Sequence, residues 1–154
     1  MIIGSATPRV VLYLNTDMPE LGAALSELPK ALLCQSILTH NNNNWRKILT
    51  IFAKLTAPND DWREYLQQQL LLEQQINLTT QLVNSAHWHL IAGKKNWPRF
   101  EPNLINALSQ ETKKHFFTAS NRIYTPYPDY RQFPNAIVEN CRQQLLSNIK
   151  TLVS

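Results

Sequence analysis

Arg9-Val-Val-Leu-Tyr-Leu-Asn15 decides how the chain reads. Five consecutive apolar residues, two of them β-branched, stop abruptly at Asn15, Asp17 and Pro19. A short apolar run closed by turn residues predicts a strand buried on both faces. The surrounding pattern changes period. From Pro19 to about His40 it becomes helical, with interruptions at Gly22 and Pro29. Trp45, Ile48, Leu49, Phe52 and Leu55 keep helical spacing, with Asn44 as the expected cap and Pro58 beyond the end. Asp60 or Asp61 is expected to cap a long amide-rich helix running from Trp62 to Val83.

A second buried strand is expected at His87-Trp-His-Leu-Ile-Ala92, ending at Gly93. After prolines 98 and 102 the pattern returns to helix at Leu104, Ile105 and Leu108. Two short strands follow at His115 to Thr118 and Arg122 to Thr125, around a turn at Ala119-Ser-Asn121. Pro126 to Pro134 reads as a loop, and Ile137, Cys141, Leu145, Ile149 and Leu152 as one stripe of a terminal helix. Strands separated by helices predict an α/β fold. We expect a three-layer sandwich: a short, mainly parallel sheet of three to four strands with helices on both faces. The 154 residues form a single domain, 1–154, without repeat or dividing linker.

Composition narrows the function classes. Three glycines, Gly4, Gly22 and Gly93, exclude a glycine-rich phosphate loop, which needs two or three within about eight residues. The apolar run Val10 to Leu14 is far below the roughly 20 residues that span a bilayer, so no membrane partner is expected. The start lacks the basic and apolar regions of a secretory signal, and Cys34 and Cys141 read as reduced core thiols. A cytoplasmic address follows. The net charge of +4 is uneven: −1 over residues 1–89 and +5 over 90–154. A basic C-terminal part suits a polyanion, or is ordinary solubilising charge. The run Asn41 to Asn44 reads as a loop feeding a helix cap.

Ligands of open α/β sheets sit beyond the C-terminal ends of the strands. Three segments are expected there: Asn15-Thr-Asp17, Gly93-Lys94-Lys95, and Pro126-Tyr-Pro-Asp-Tyr-Arg-Gln132. Lys94, beside a strand-exit glycine, is a candidate anion ligand. In the last segment the prolines stiffen the loop, Tyr127 and Tyr130 offer ring faces, Asp129 accepts, and Arg131 presents a planar fork. That set suits a base, nucleotide or phosphate. Equally it suits a structural loop in which Asp129 pairs with Arg131 or Arg122. Arg46 and Lys47 at a helix N-terminus oppose the dipole and favour a neighbouring anion. His87 and His89 share a strand face but have no third ligand nearby, so no metal and no cofactor is implied.

The segments Asn44-Trp-Arg-Lys47 with Ala53-Lys-Leu55, Ile91-Ala-Gly-Lys94, and Pro126 to Gln132 resemble those of a family of small uncharacterised bacterial proteins, over most of the chain. That resemblance implies no activity. In layout the chain is also remotely similar to the uracil-DNA glycosylase superfamily. Asp17-Met-Pro19 resembles that superfamily's Asp-Pro element, in which the Asp positions water, so the resemblance implies Asp17 as a catalytic candidate on a nucleobase. The full Gly-x-Asp-Pro-Tyr-His pattern is missing, and the superfamily's His-Pro-Ser loop falls on Tyr124 to Pro128, which has no His. The expected function is therefore binding of a nucleotide, phosphate-bearing ligand or nucleic acid at the strand ends. The alternatives are a divergent glycosylase-like enzyme, and an interaction module that forms a homodimer through helix 62–83.

Overall fold

A computed structural model describes residues 1–103 and 116–153. The chain is α/β, but its sheet is larger than the sequence suggests. Six strands run β1 (Ile2–Gly4), β2 (Val10–Tyr13), β3 (Gln75–Asn77), β4 (Trp88–Ala92), β5 (Phe117–Ala119) and β6 (Arg122–Thr125), in spatial order β1-β3-β2-β4-β6-β5. The four central strands are parallel to one another, and β1 and β5 are antiparallel edges. The expected short, mainly parallel sheet of three to four strands is thus corrected to a mixed sheet of six among the described residues. The two unexpected strands, β1 and β3, have three residues each, too few for any alternation to register.

Among the described residues the helices are α1 (Leu33–His40), α2 (Asn43–Thr56), α3 (Trp62–Gln68), α4 (Leu70–Glu73), α5 (Trp97–Phe100) and α6 (Asn135–Val153). Two 3-10 turns, Gly22–Glu27 and Lys30–Leu32, replace the first part of the helix expected from Pro19. The expected helix 62–83 is also corrected. It breaks at Gln69, restarts for one turn, and becomes strand β3. The helical return expected at Leu104, Ile105 and Leu108 lies outside the described residues.

Alternation divides the sheet into two faces. Val10, Leu12, Leu14, Ile76, Leu90, Ala92 and Ile123 pack with residues of α1 to α4 and α6 in the main core. On the other face Val11, Tyr13, Ile91 and Tyr124 meet Ala86 and Trp97, which belong to the β3–β4 connection and α5. Helices on the two faces are therefore unequal among the described residues. The connection 78–87 crosses β2 in ten residues without a helix, about the shortest reach for a parallel crossover.

Helix α2 organises the main core. Ile48, Leu49, Ile51 and Phe52 are fully buried, and Ala57 before Pro58 leaves the helical region at ψ 138°. Its cap is Asn42, whose side-chain oxygen accepts from the Asn44 N–H at 3.0 Å, not Asn44 as the pattern suggested. Asp61 caps α3 by accepting from Glu64 N–H. Asn42→Ala is expected to destabilise the fold by about 1 kcal/mol, read as a lowered urea midpoint at unchanged slope.

Candidate functional site

Strands β2, β4 and β6 are neighbours and parallel, so the segments after Tyr13, Ala92 and Thr125 leave from one edge of the sheet. Hydrogen bonds stitch these exits together. The Asn96 amide donates to the Tyr13 carbonyl at 3.2 Å. Gly93 N–H and the Trp97 indole both donate to the Thr125 carbonyl, at 2.9 and 2.8 Å. The loop after β2 is tied to the asparagine run by Glu20 N–H donating to Asn41 Oδ1 at 2.7 Å. The three segments singled out by sequence therefore share one rim.

The asparagine run also reaches this rim. Tyr127 hydroxyl donates to Asn44 Oδ1 at 3.0 Å, which ties the β6 exit to the first turn of α2. Gly93 has φ +91°, and a Cβ placed there would touch the Tyr127 ring at 3.5 Å. A side chain would fit that space but strain the backbone, by roughly 1–3 kcal/mol. The rim thus runs from Gly93-Lys94-Lys95 past Tyr127 to the start of α2.

The candidate side chains divide into two groups. Lys94, Lys95, Arg46 and Arg131 are exposed, as is Asp17 on the loop after β2. Tyr127 and Asp129 are half-buried and already engaged. Asp129 accepts from the Arg131 backbone N–H at 3.0 Å, and its carboxylate lies 4.0 Å from Lys47. The structural pairing suggested by sequence, with the side chain of Arg131 or Arg122, is thereby corrected to Lys47. Tyr130 lies further along α2, with Lys54 Nζ 5.4 Å from its ring and 5.0 Å from that of Trp62. Burial, and next Arg63, lower the pKa of Lys54. Loop 126–134 is a strap along α2, and Lys54 completes it by donating to Oδ1 of Asn135 at the start of α6.

One polar pair escaped the sequence reading. On the second sheet face Tyr13 hydroxyl lies 2.8 Å from His89 Nδ1 and accepts from Val83 N–H at 2.9 Å. A hydroxyl oxygen has two acceptor sites, so this hydrogen bond forms with either group as the donor. Burial lowers the His89 pKa, and Arg122 lowers it further. Burial raises the Tyr13 pKa, against the Val83 hydrogen bond and Arg122. Below about pH 6.5 the unfolded chain binds a proton that folded His89 resists. Stability conferred by neutral His89 is complete above that pH and declines as pH falls. The urea midpoint should drop as pH falls below about 6.5, and drop less in His89→Gln.

Cys34 and Cys141 are free and buried, and burial raises both thiols to about 12. Neither is a nucleophile at neutral pH. Among the described residues no three His, Cys, Asp or Glu side chains cluster to hold a metal, and no helix is long and apolar enough to cross a membrane.

Comparison with known proteins returned no match among curated proteins and none among solved structures. The likeness to uracil-DNA glycosylases therefore gains no support, and loop 124–128 has no histidine of its own while His89 is held by Tyr13. A model of the family of unknown function DUF6942 matches residues 1–146. The chain belongs to that family.

Proposed function

We propose that the chain binds a phosphate-bearing ligand, a nucleotide or a stretch of nucleic acid, across the C-terminal edge of its parallel strands. One observation carries this reading. Exposed Lys94 and Lys95 follow β4 on the rim that Tyr127 joins to the start of α2, where Arg46 is exposed. Ammonium and guanidinium groups on one rim suit phosphate oxygens, the guanidinium in two-pronged fashion. The first-turn N–H groups of α2 add donors of the same sign. With glycine so scarce, the anion contacts fall to side chains and a helix end.

Arg131, exposed on the loop after β6, tests the reading cheaply. Binding of a fluorescent single-stranded oligonucleotide, followed by anisotropy at low salt, should weaken about three- to tenfold in Arg131→Ala, and inorganic phosphate or ATP should compete. Undiminished affinity would remove Arg131 from the site.

A further inference from the structure

We propose that the cavity where α2, α3 and α6 meet binds a free α-amino acid, reading its ammonium and its carboxylate together. The cavity holds about 220 Å³, below the roughly 300–1,000 Å³ of pockets for drug-sized ligands, so its occupant is small. Lys54 in the last turn of α2, Asp60 in the turn that follows and Trp62 at the start of α3 line it. Asn135, Glu139 and Arg142 join them from α6, where spacings of four and three put all three on one side of the helix.

Charge defines the occupant. The ionic side chains lining the cavity are two cations and two acids, which cancel. Arg142 is occupied: one terminal nitrogen donates to the Ala57 and Asn59 carbonyls, and the other lies 3.3 Å from Asp60 and 3.9 Å from Glu139. Both acids are exposed, and a carboxylate accepts about four hydrogen bonds, so one shared guanidinium nitrogen leaves them room for an ammonium. Lys54 stands differently. Half-buried, it donates to the neutral Asn135 Oδ1 at 3.1 Å and lies near the Trp62 and Tyr130 rings. Among the described residues its ammonium meets no carboxylate. Burial, and next the like charge of Arg63, lower its pKa, and a bound carboxylate would relieve both. A simple anion would answer Lys54 but face Asp60 and Glu139, and a simple cation would meet the reverse. A free α-amino acid carries both signs on one carbon, with Trp62 and Val138 as apolar wall for its side chain. A peptide end carries only one of the two charges.

Thermal unfolding of the full chain with each of the twenty common L-amino acids at about 10 mM tests this. The expected result is a rise in Tm of about 2 °C or more with at least one of them, whose affinity titration calorimetry then measures. Its N-acetyl and carboxamide derivatives, each stripped of one charge, should bind at least about tenfold more weakly. Lys54→Gln, which keeps a donor for Asn135, should weaken binding about tenfold or more, and so should Asp60→Asn combined with Glu139→Gln. Matching urea midpoints for these variants would show that they remain folded. No rise in Tm with any amino acid, a derivative that binds as tightly as its parent, or affinity that survives Lys54→Gln would each overturn the inference. None of these readouts involves the strand-end rim, so the outcome is independent of phosphate binding.

Discussion

Gly4→Ala is expected to destabilise the protein by about 3 kcal/mol or more, among the largest effects of any single methyl group in this chain. Gly4 has φ +108°, and a Cβ there would lie 2.5 Å from the Gln74 carbonyl oxygen and 3.1 Å from a Leu71 methyl. Neither neighbour can give way cheaply. The Gln74 carbonyl accepts from Ser5 N–H at 3.0 Å, and the Gln74 side chain accepts from Val10 N–H while donating to the Tyr65 hydroxyl. Moving that carbonyl would loosen the β1 edge and the start of β2 together. Urea unfolding at 25 °C measures the loss. A midpoint equal to that of the unmodified protein would contradict the tight approach of β1 to α4.

Arg142→Met should cost about 2–3 kcal/mol, for a different reason. Arg142 is 9% exposed on α6 and donates through one nitrogen to the carbonyls of Ala57 and Asn59, both at 3.1 Å. These are the carbonyls that α2 and the turn after it leave unpaired, and a charged donor satisfies them. Methionine fills much of the volume and leaves the buried Ala57 carbonyl without that donor. Asp60, 3.3 Å away, is fully exposed, so Asp60→Asn should leave the midpoint nearly unchanged. Equal losses in the two variants would mean that the ion pair, not the helix-end bonds, holds α6 to α2.

That arginine also qualifies the basic C-terminal part of the sequence. Arg142 counts toward the +5 of residues 90–154, yet its guanidinium is buried structural support. Among the described residues of that part, the cations Lys94, Lys95, Arg99 and Arg131 are exposed. Charge counting does not separate these roles.

What was legible followed from pattern length. Val10–Tyr13 and Trp88–Ala92 announce themselves because they are buried on both faces and apolar throughout. Gln75-Ile-Asn77 does not. It is equally buried, but Gln75 and Asn77 satisfy each other, with the Asn77 amide donating to Gln75 Oε1 and Gln75 donating to the Ser5 carbonyl. Written in sequence, buried amides look like the solvent side of a helix, which is how the helix 62–83 was expected. The site shows the same division. That the three exits share one rim follows from parallel topology and was readable. That Tyr127 would bond Asn44, and Asp129 approach Lys47, depends on how loop 126–134 lies along α2, which no local pattern encodes.

The central claim is that the rim binds phosphate. Its most direct test is the salt dependence of oligonucleotide affinity in the unmodified protein, set beside Lys94→Glu. If three or so phosphates are neutralised, log affinity should fall against log salt with a slope of about −2. Lys94→Glu should lower affinity at least about tenfold and flatten the slope, while its urea midpoint stays unchanged. No binding at low salt to oligonucleotide, ATP or inorganic phosphate, or binding that Lys94→Glu leaves intact, would contradict the account.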